Sequence, residues 1–140
     1  SNALQECSRE QVVNSFDNTI LYTDHFLGQA IQWLKKSEAT SAPAMLYVSD
    51  HGESLGENNL YLHGLPYRVA PDFQKRVPWI TWWSARFEKQ SGLSRTCLKN
   101  KVQDPLTHDN YFHSVLGLMN VNTEVYQAKL DVHADCRSKL

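Results

Sequence analysis

The sequence predicts an α/β protein of layered αβα architecture with a mainly parallel sheet. A long amphipathic segment and two short apolar runs follow one another in the order helix, strand, loop, strand, helix, and this alternation is typical of a parallel sheet covered by helices. The chain has 140 residues, of which 41% are hydrophobic, which is enough for one core. We therefore expect a single domain over residues 1–140.

The charge balance argues against several classes of partner. Fourteen basic and fifteen acidic residues give a net charge of −1, so the chain lacks the positive excess that binds nucleic acid or anionic lipid. No window holds about 18 consecutive apolar residues, the length that a membrane-spanning helix needs. The sequence thus predicts neither a nucleic-acid-binding protein nor a membrane span within this chain.

The first element is predicted to be one long amphipathic helix over Ser8–Lys36. Apolar residues recur there at helical spacing, and Ser8 with Gln11 fits a capping box at the start. The two lysines at its end suit the negative end of the helix dipole. Ser37–Pro43 follows as a polar loop.

Two short apolar runs predict strands, separated by a long loop. Met45–Ser49 has the β-branched and aromatic character of a buried strand. Val77–Trp83 predicts a second strand, in which Pro78 is tolerated only near the start. Between them, Glu53–Asp72 has no periodicity and is punctuated by turn residues. Structured loops of this length are usually functional.

The remaining third of the chain is less regular. Ala85–Val102 predicts irregular structure or a short helix, and Thr107 begins another helix. The apolar residues expected to share one face of that helix are Phe112, Val115, Leu116 and Met119. Thr123–Leu140 is polar and carries no clear prediction.

The candidate site begins where the first strand ends. Asp50, His51 and Gly52 follow this strand directly, and open α/β sheets bind their ligands at the carboxyl ends of strands. Carboxylate oxygen and imidazole nitrogen are both zinc ligands, and glycine lets the backbone turn sharply beside them. These three residues alone fit a polar turn with an exposed histidine equally well.

The longer string SDHGESLGENNLYLHGLP, from Ser49 to Pro66, resembles the signature of the bacterial lipid A phosphoethanolamine transferases of the alkaline phosphatase and sulfatase superfamily. The motif DHG alone is shared with sulfatases, phosphatases and cofactor-independent phosphoglycerate mutases, whereas the longer string is much narrower. The resemblance extends to VNSFDNTILYTDHFLGQAIQWLKK, APDFQKRVPWITWWS and THDNYFHSVLGLMNV. It implies an alkaline phosphatase/sulfatase-like fold, of which this chain is the C-terminal part of the periplasmic catalytic domain.

The resemblance also implies roles for individual residues. Asp50 and His51 match the family's ligands of the catalytic zinc, Zn²⁺. His63 matches a further active-site histidine near the transferred phosphoryl group, where it binds that group, protonates the leaving group or holds a second zinc. Glu53 and Glu57 are either hydrogen-bonding partners of these ligands or solvated loop acids.

The implied activity is the transfer of phosphoethanolamine from phosphatidylethanolamine to lipid A or another envelope glycan. In the family a threonine nucleophile and a further acidic zinc ligand lie upstream of the region that this chain matches. Thr19 and Thr23 fall in a different part of the pattern, so this chain alone is expected to be inactive. The resemblance places the full-length protein at the periplasmic face of the inner membrane, anchored by N-terminal transmembrane helices, with a link to polymyxin resistance.

Three cysteines, at positions 7, 97 and 136, show no CxxC spacing, so a thiolate zinc site is not predicted. Counting leaves open three reduced thiols or one disulfide with an orphan. The resemblance implies a Cys97–Cys136 bridge in the oxidising periplasm, with a partner for Cys7 just upstream of Ser1. Residues 1–3 are compatible with a tag remnant, although SNALQEC also resembles the inside of that upstream disulfide loop.

Two alternative functions remain compatible with the sequence. One is a hydrolase of the same superfamily, a sulfatase or phosphodiesterase. The other is a non-catalytic fragment that forms a homodimer.

Overall fold

The computed structural model describes residues 4–138, apart from the side chain of Gln5. Within this range the helices are α1 (Arg9–Lys36), α2 (Asp72–Lys75), α3 (Ala85–Ser91), α4 (Arg95–Lys99) and α5 (Asp109–Leu118). The strands are β1 (Ala44–Val48), β2 (Ser54–Leu55), β3 (Tyr61–Leu62) and β4 (Trp79–Trp83). Residues 1–3, and with them the question of a tag remnant, lie outside the described residues.

The chain divides into two compact units. The first unit holds the chain up to Trp33 together with Tyr47–Ile80, and the second holds Leu34–Leu46 together with the chain from Thr81 onwards. Among the described residues, the buried apolar side chains of the first unit are Val12 and Ala70, and those of the second are Trp83, Leu93 and Cys136.

Helix α1 begins as the capping box predicts. The backbone N–H of Ser8 donates to Gln11 Oε1 at 2.8 Å, and the backbone N–H of Gln11 donates to Ser8 Oγ at 3.2 Å. This reciprocal pair satisfies two of the donors that a helix start leaves open. The predicted helix is confirmed to within one residue at its start.

The prediction of a mainly parallel sheet is not confirmed. The described strands form two two-stranded sheets, β1 with β4 and β2 with β3, and the second pair is antiparallel. Beside the first pair, Ser49 N–H donates to the carbonyl of Pro78 and Ser84 N–H donates to that of Pro43, which is also an antiparallel register. A parallel pair needs a crossover, usually a helix, whereas the connection between β1 and β4 holds a hairpin and only the one-turn α2.

The strand boundaries lie close to the predicted ones. β4 begins at Trp79, directly after Pro78, so the proline costs no ladder hydrogen bond. β1 is partly exposed at all five positions, so the expectation of a buried strand is wrong for it. The predicted loop Glu53–Asp72 contains the hairpin of β2 and β3 and a short 3₁₀ turn at Glu57–Asn59.

In the second unit, two short helices are fixed by serine caps and by a disulfide. The hydroxyls of Ser84 and Ser94 accept hydrogen bonds at the starts of α3 and α4. Cys97 in α4 is bonded to Cys136, with 5.5 Å between the two Cα atoms. This confirms the pairing that the resemblance implies, and Cys7 takes no part in it.

Helix α5 exists as predicted, but its buried face is not the apolar face that includes Phe112 and Met119. Phe112 is 52% exposed and Met119 is 68% exposed. The buried residues of α5 are His113, Ser114 and Gly117. This face is buried because the C-terminal segment packs on it: Ser114 Oγ, for example, accepts from the backbone N–H of Val132 at 3.0 Å.

Candidate metal centre

A tight turn after β1 presents Asp50 and His51. Ser49 Oγ donates to the carbonyl of His51 at 3.0 Å, and His51 N–H donates to Asp50 Oδ1 at 3.0 Å. Gly52 N–H donates to the carbonyl of Gln74 at 3.0 Å. A Cβ at Gly52 would overlap the carbonyl oxygen of Phe73. Glycine is therefore required here by the close approach of a second backbone segment.

Asp50 and His51 have the separation expected of two ligands of one metal ion. Asp50 Oδ2 lies 3.6 Å from His51 Nε2, and two ligands at 2.0–2.1 Å from a tetrahedral zinc stand about 3.4 Å apart. His51 Nδ1 lies 3.2 Å from the carbonyl oxygen of Gly52. A hydrogen bond from Nδ1 to that oxygen leaves the Nε2 lone pair for a metal, as is usual for metal-binding histidines.

Asp50 is also suited to ligation by its charge. The pKa of this carboxyl is lowered, first by the hydrogen bond from the backbone N–H of His51 and further by its own N–H and the His51 ring. The side chain is 85% exposed. It is thus an ionised, accessible oxygen ligand at neutral pH.

The hairpin delivers the other two residues of the site. Because Ser54 pairs with Leu62 in antiparallel register, the residues just outside this pair, Glu53 and His63, face each other. His63 Nδ1 lies 2.8 Å from Glu53 Oε1. The pairing therefore brings together two side chains that are ten positions apart in the sequence.

These side chains form one compact cluster with His51. Glu53 Oε1 lies 3.8 Å from His51 Nδ1, and the rings of His51 and His63 stack with centroids 3.6 Å apart and 30° between their planes. His51, Glu53 and His63 each offer a ligand atom within 4.8 Å of the others. Asp50 is not part of this group. The two possible sets of metal ligands, Asp50 with His51 and His51 with Glu53 and His63, therefore share only His51.

A pocket of about 670 Å³ opens beside Asp50 and His51 within the first unit. Helix α1 contributes one side of its wall, and Arg76 supplies a positive charge. The residues of α1 that line it are Phe16, Thr19, Ile20, Thr23, Asp24 and Leu27. The volume is in the usual range for small-molecule sites, roughly 300–1,000 Å³.

A second cluster of buried polar groups lies in the second unit, where the sequence assigned no role to His133. Asp131 and His133 are both buried, with 3.4 Å between Oδ1 and Nδ1. Tyr126 donates from its hydroxyl to Asp131 Oδ2 at 2.8 Å. Burial and this hydrogen bond raise the pKa of Tyr126 to about 12. Burial raises the pKa of Asp131, but the hydrogen bonds from His133 and Tyr126 outweigh it, so the pKa is lowered overall.

Comparisons with known proteins agree with the motif. The sulfatase family model matches residues 2–121. Phosphoethanolamine transferase EptA of Escherichia coli K12 is 44% identical over 138 residues, which is 98% of this chain and 25% of the relative. Phosphatidylethanolamine transferase Mcr-1 of E. coli is 41% identical over 123 residues, 88% of this chain and 21% of the relative.

Among solved structures, the soluble domain of lipooligosaccharide phosphoethanolamine transferase A from Neisseria meningitidis matches 99% of this chain at 41% identity with a TM-score of 0.93. The chain covers 42% of that domain and 26% of the integral membrane protein. It thus spans about a quarter of the length of the curated relatives it matches. Among the described residues, no helix has both the length and the apolar character that crossing a membrane requires.

Proposed function

Because this chain belongs to the sulfatase family, we propose that it is part of the catalytic domain of a phosphoethanolamine transferase that modifies lipid A. The observation that carries this proposal is the 44% identity to such a transferase over 98% of the chain. That match includes the whole stretch from Asp50 to His63. The names of the relatives favour a transferase over the hydrolase alternative.

The proposed reaction moves phosphoethanolamine from phosphatidylethanolamine to a lipid A phosphate, or to another envelope glycan, in two in-line displacements. In the first step a threonine hydroxyl attacks phosphorus and displaces diacylglycerol, whose oxygen takes up the hydroxyl proton. In the second step an oxygen of the acceptor attacks phosphorus and the threonine oxygen leaves. We place this threonine, with a further acidic zinc ligand, in an upstream part of the whole protein. Thr19 and Thr23 line the pocket, but their hydroxyls donate to carbonyls of their own helix at 2.7 and 2.9 Å.

Asp50 and His51 would hold the zinc ion of this enzyme. Their 3.6 Å separation, the lowered pKa of Asp50 and the contact of His51 Nδ1 with the Gly52 carbonyl all fit zinc ligands. When bound, zinc supplies positive charge that neutralises the phosphoryl group and lowers the pKa of a nearby hydroxyl.

His63 would assist at the transferred group. Its Nδ1 is occupied by the hydrogen bond to Glu53, which leaves Nε2 as the nitrogen that can take a proton from the attacking hydroxyl and return it to the leaving group. Its ring stacks on that of His51, so it lies next to a proposed metal ligand. We assign it to catalysis on this geometry.

The full-length protein would act at the periplasmic face of the inner membrane, held there by transmembrane helices outside this chain. The description of the Neisseria relative as an integral membrane protein with a soluble domain supports the membrane anchor. Adding an amine to lipid A lowers its negative charge, which weakens the attraction of cationic peptides such as polymyxin.

The test is lipid A analysis in cells that lack their own transferase and express the full-length protein. The wild type should add phosphoethanolamine, seen as the corresponding mass increase, and Asp50→Asn and His63→Ala should lose most of it. Release of free phosphoethanolamine or sulfate without a modified acceptor would instead establish the hydrolase alternative.

A further inference from the structure

Glu53 is the carboxylate that lies close to both histidines of the site. Its Oε1 lies 2.8 Å from His63 Nδ1 and 3.8 Å from His51 Nδ1. Only the shorter distance is a hydrogen bond, and His51 Nδ1 is closer to the Gly52 carbonyl, at 3.2 Å. The partner of Glu53 is therefore His63.

This hydrogen bond determines which nitrogen of His63 carries the proton. An ionised carboxylate can only accept, so Nδ1 of His63 is the N–H donor. In the neutral imidazole the other nitrogen, Nε2, is then a bare acceptor. The side chain of His63 is 47% exposed, so surrounding groups restrain it only in part. The hydrogen bond to Glu53 adds to this restraint on rotation of the ring.

The backbone on both sides of this pair is braced by one buried side chain. Gln74 is buried, and its Nε2 donates to Ser54 Oγ and to the carbonyl of Leu62. Ser54 follows Glu53 in the chain, and Leu62 precedes His63. The pair is thus preorganised by the hairpin and by α2, as a positioned catalytic histidine requires.

We propose that Glu53 is a positioning residue that holds His63 in the Nδ1–H tautomer, so that Nε2 can take up a proton beside the transferred group and return it to the leaving group. This inference rests on the proposed function, which gives Nε2 its task. The competing role for Glu53 is ligation of a metal together with both histidines. Ring planes that stack at 3.6 Å with 30° between them are poorly placed to share one ion at 2.0–2.1 Å, so the structure favours positioning.

The experiment combines ¹⁵N NMR of the histidine rings with kinetics of the full-length protein. The variants are Glu53→Gln, whose amide oxygen can still accept from Nδ1–H, and Glu53→Ala, which cannot accept. Glu57→Gln is the matched control, because Glu57 lies in the same loop and its carboxylate accepts from the backbone N–H of Leu55 at 2.8 Å. His63→Gln assigns the signals.

The wild type and Glu53→Gln should show His63 protonated on Nδ1, whereas Glu53→Ala should show a mixture of tautomers. Glu53→Ala should lower kcat about 10–100-fold with KM and zinc affinity little changed, and Glu53→Gln should recover part of kcat. Unchanged His63 signals in Glu53→Ala would overturn the proposal, and so would loss of zinc binding as complete as in Asp50→Asn. The NMR result does not depend on activity, so a full-length protein without transferase activity would refute the proposed function separately.

Discussion

Replacing Gly52 by alanine should lower the stability of the first unit and, at the same time, weaken zinc binding at the proposed site. The new Cβ would overlap the carbonyl oxygen of Phe73, and the backbone on one side must move to relieve the overlap. That movement would also weaken or break the hydrogen bond from Gly52 N–H to the carbonyl of Gln74, which is 3.0 Å long. Because Asp50 and His51 directly precede this point, zinc affinity should fall as well.

The expected cost follows from these two contacts. Overpacking a close contact by one methyl group costs about 1–3 kcal/mol, and a lost backbone hydrogen bond costs about 1 kcal/mol. Gly52→Ala should therefore lower the free energy of unfolding by about 2–4 kcal/mol. Gly28→Ala is the matched control, because Gly28 lies inside α1 with no atom within 4 Å of the new Cβ. That change should raise the free energy of unfolding by about 0.5–1 kcal/mol through helix propensity.

Urea denaturation followed by tryptophan fluorescence measures both changes under the same conditions. The two alanine variants should shift the unfolding midpoint in opposite directions. If Gly52→Ala were as stable as the wild type and bound zinc as tightly, the close approach of the Phe73 backbone would not shape the site.

Three further predictions concern the second unit. Reducing the Cys97–Cys136 bond, whose ends are 39 residues apart, should lower the free energy of unfolding by about 4 kcal/mol; identical urea curves with and without reductant would contradict this. The pKa of Tyr126 is raised to about 12, so the folded state keeps its proton after the unfolded phenol loses its own. Stability should therefore fall between about pH 10 and 12, and Tyr126→Phe should abolish that component of the fall. The pKa of Asp131 is lowered, so its contribution to stability is present above the unfolded value of about 3.9 and is lost as the pH falls through the folded value. A variant Asp131→Asn with an unchanged acid limb of the stability curve would refute this.

Local patterns in the sequence predicted the elements whose causes are local. The capping box of Ser8 and Gln11 and the helical repeat of α1 depend on neighbours within four positions, and the structure has both. The Cys97–Cys136 bond joins distant positions, so cysteine counting left it open and only the family resemblance implied it. The same holds for the adjacency of His51 and His63, whose rings the structure stacks.

Features that depend on tertiary packing were not predictable. The hairpin that carries Glu53 and His63 has strands of only two residues. Leu62 in this hairpin has a positive φ of 63°, which is uncommon for leucine, so the sequence does not predict it. The C-terminal segment covers a polar face of α5 and so buries it. Periodicity alone instead points to the apolar face of Phe112 as the one that packs. The sequence therefore leaves two interpretations of Glu53 open, and the register of the hairpin places this residue against His63.

We propose that Asp50 and His51 hold the zinc ion of a phosphoethanolamine transferase. Calorimetry with metal analysis on the purified full-length protein tests it directly, with the wild type beside the double variant Asp50→Asn/His51→Ala. The wild type should take up zinc, and the double variant should bind it at least about tenfold more weakly. Equal affinities of the two proteins, or no uptake by the wild type, would contradict the assignment.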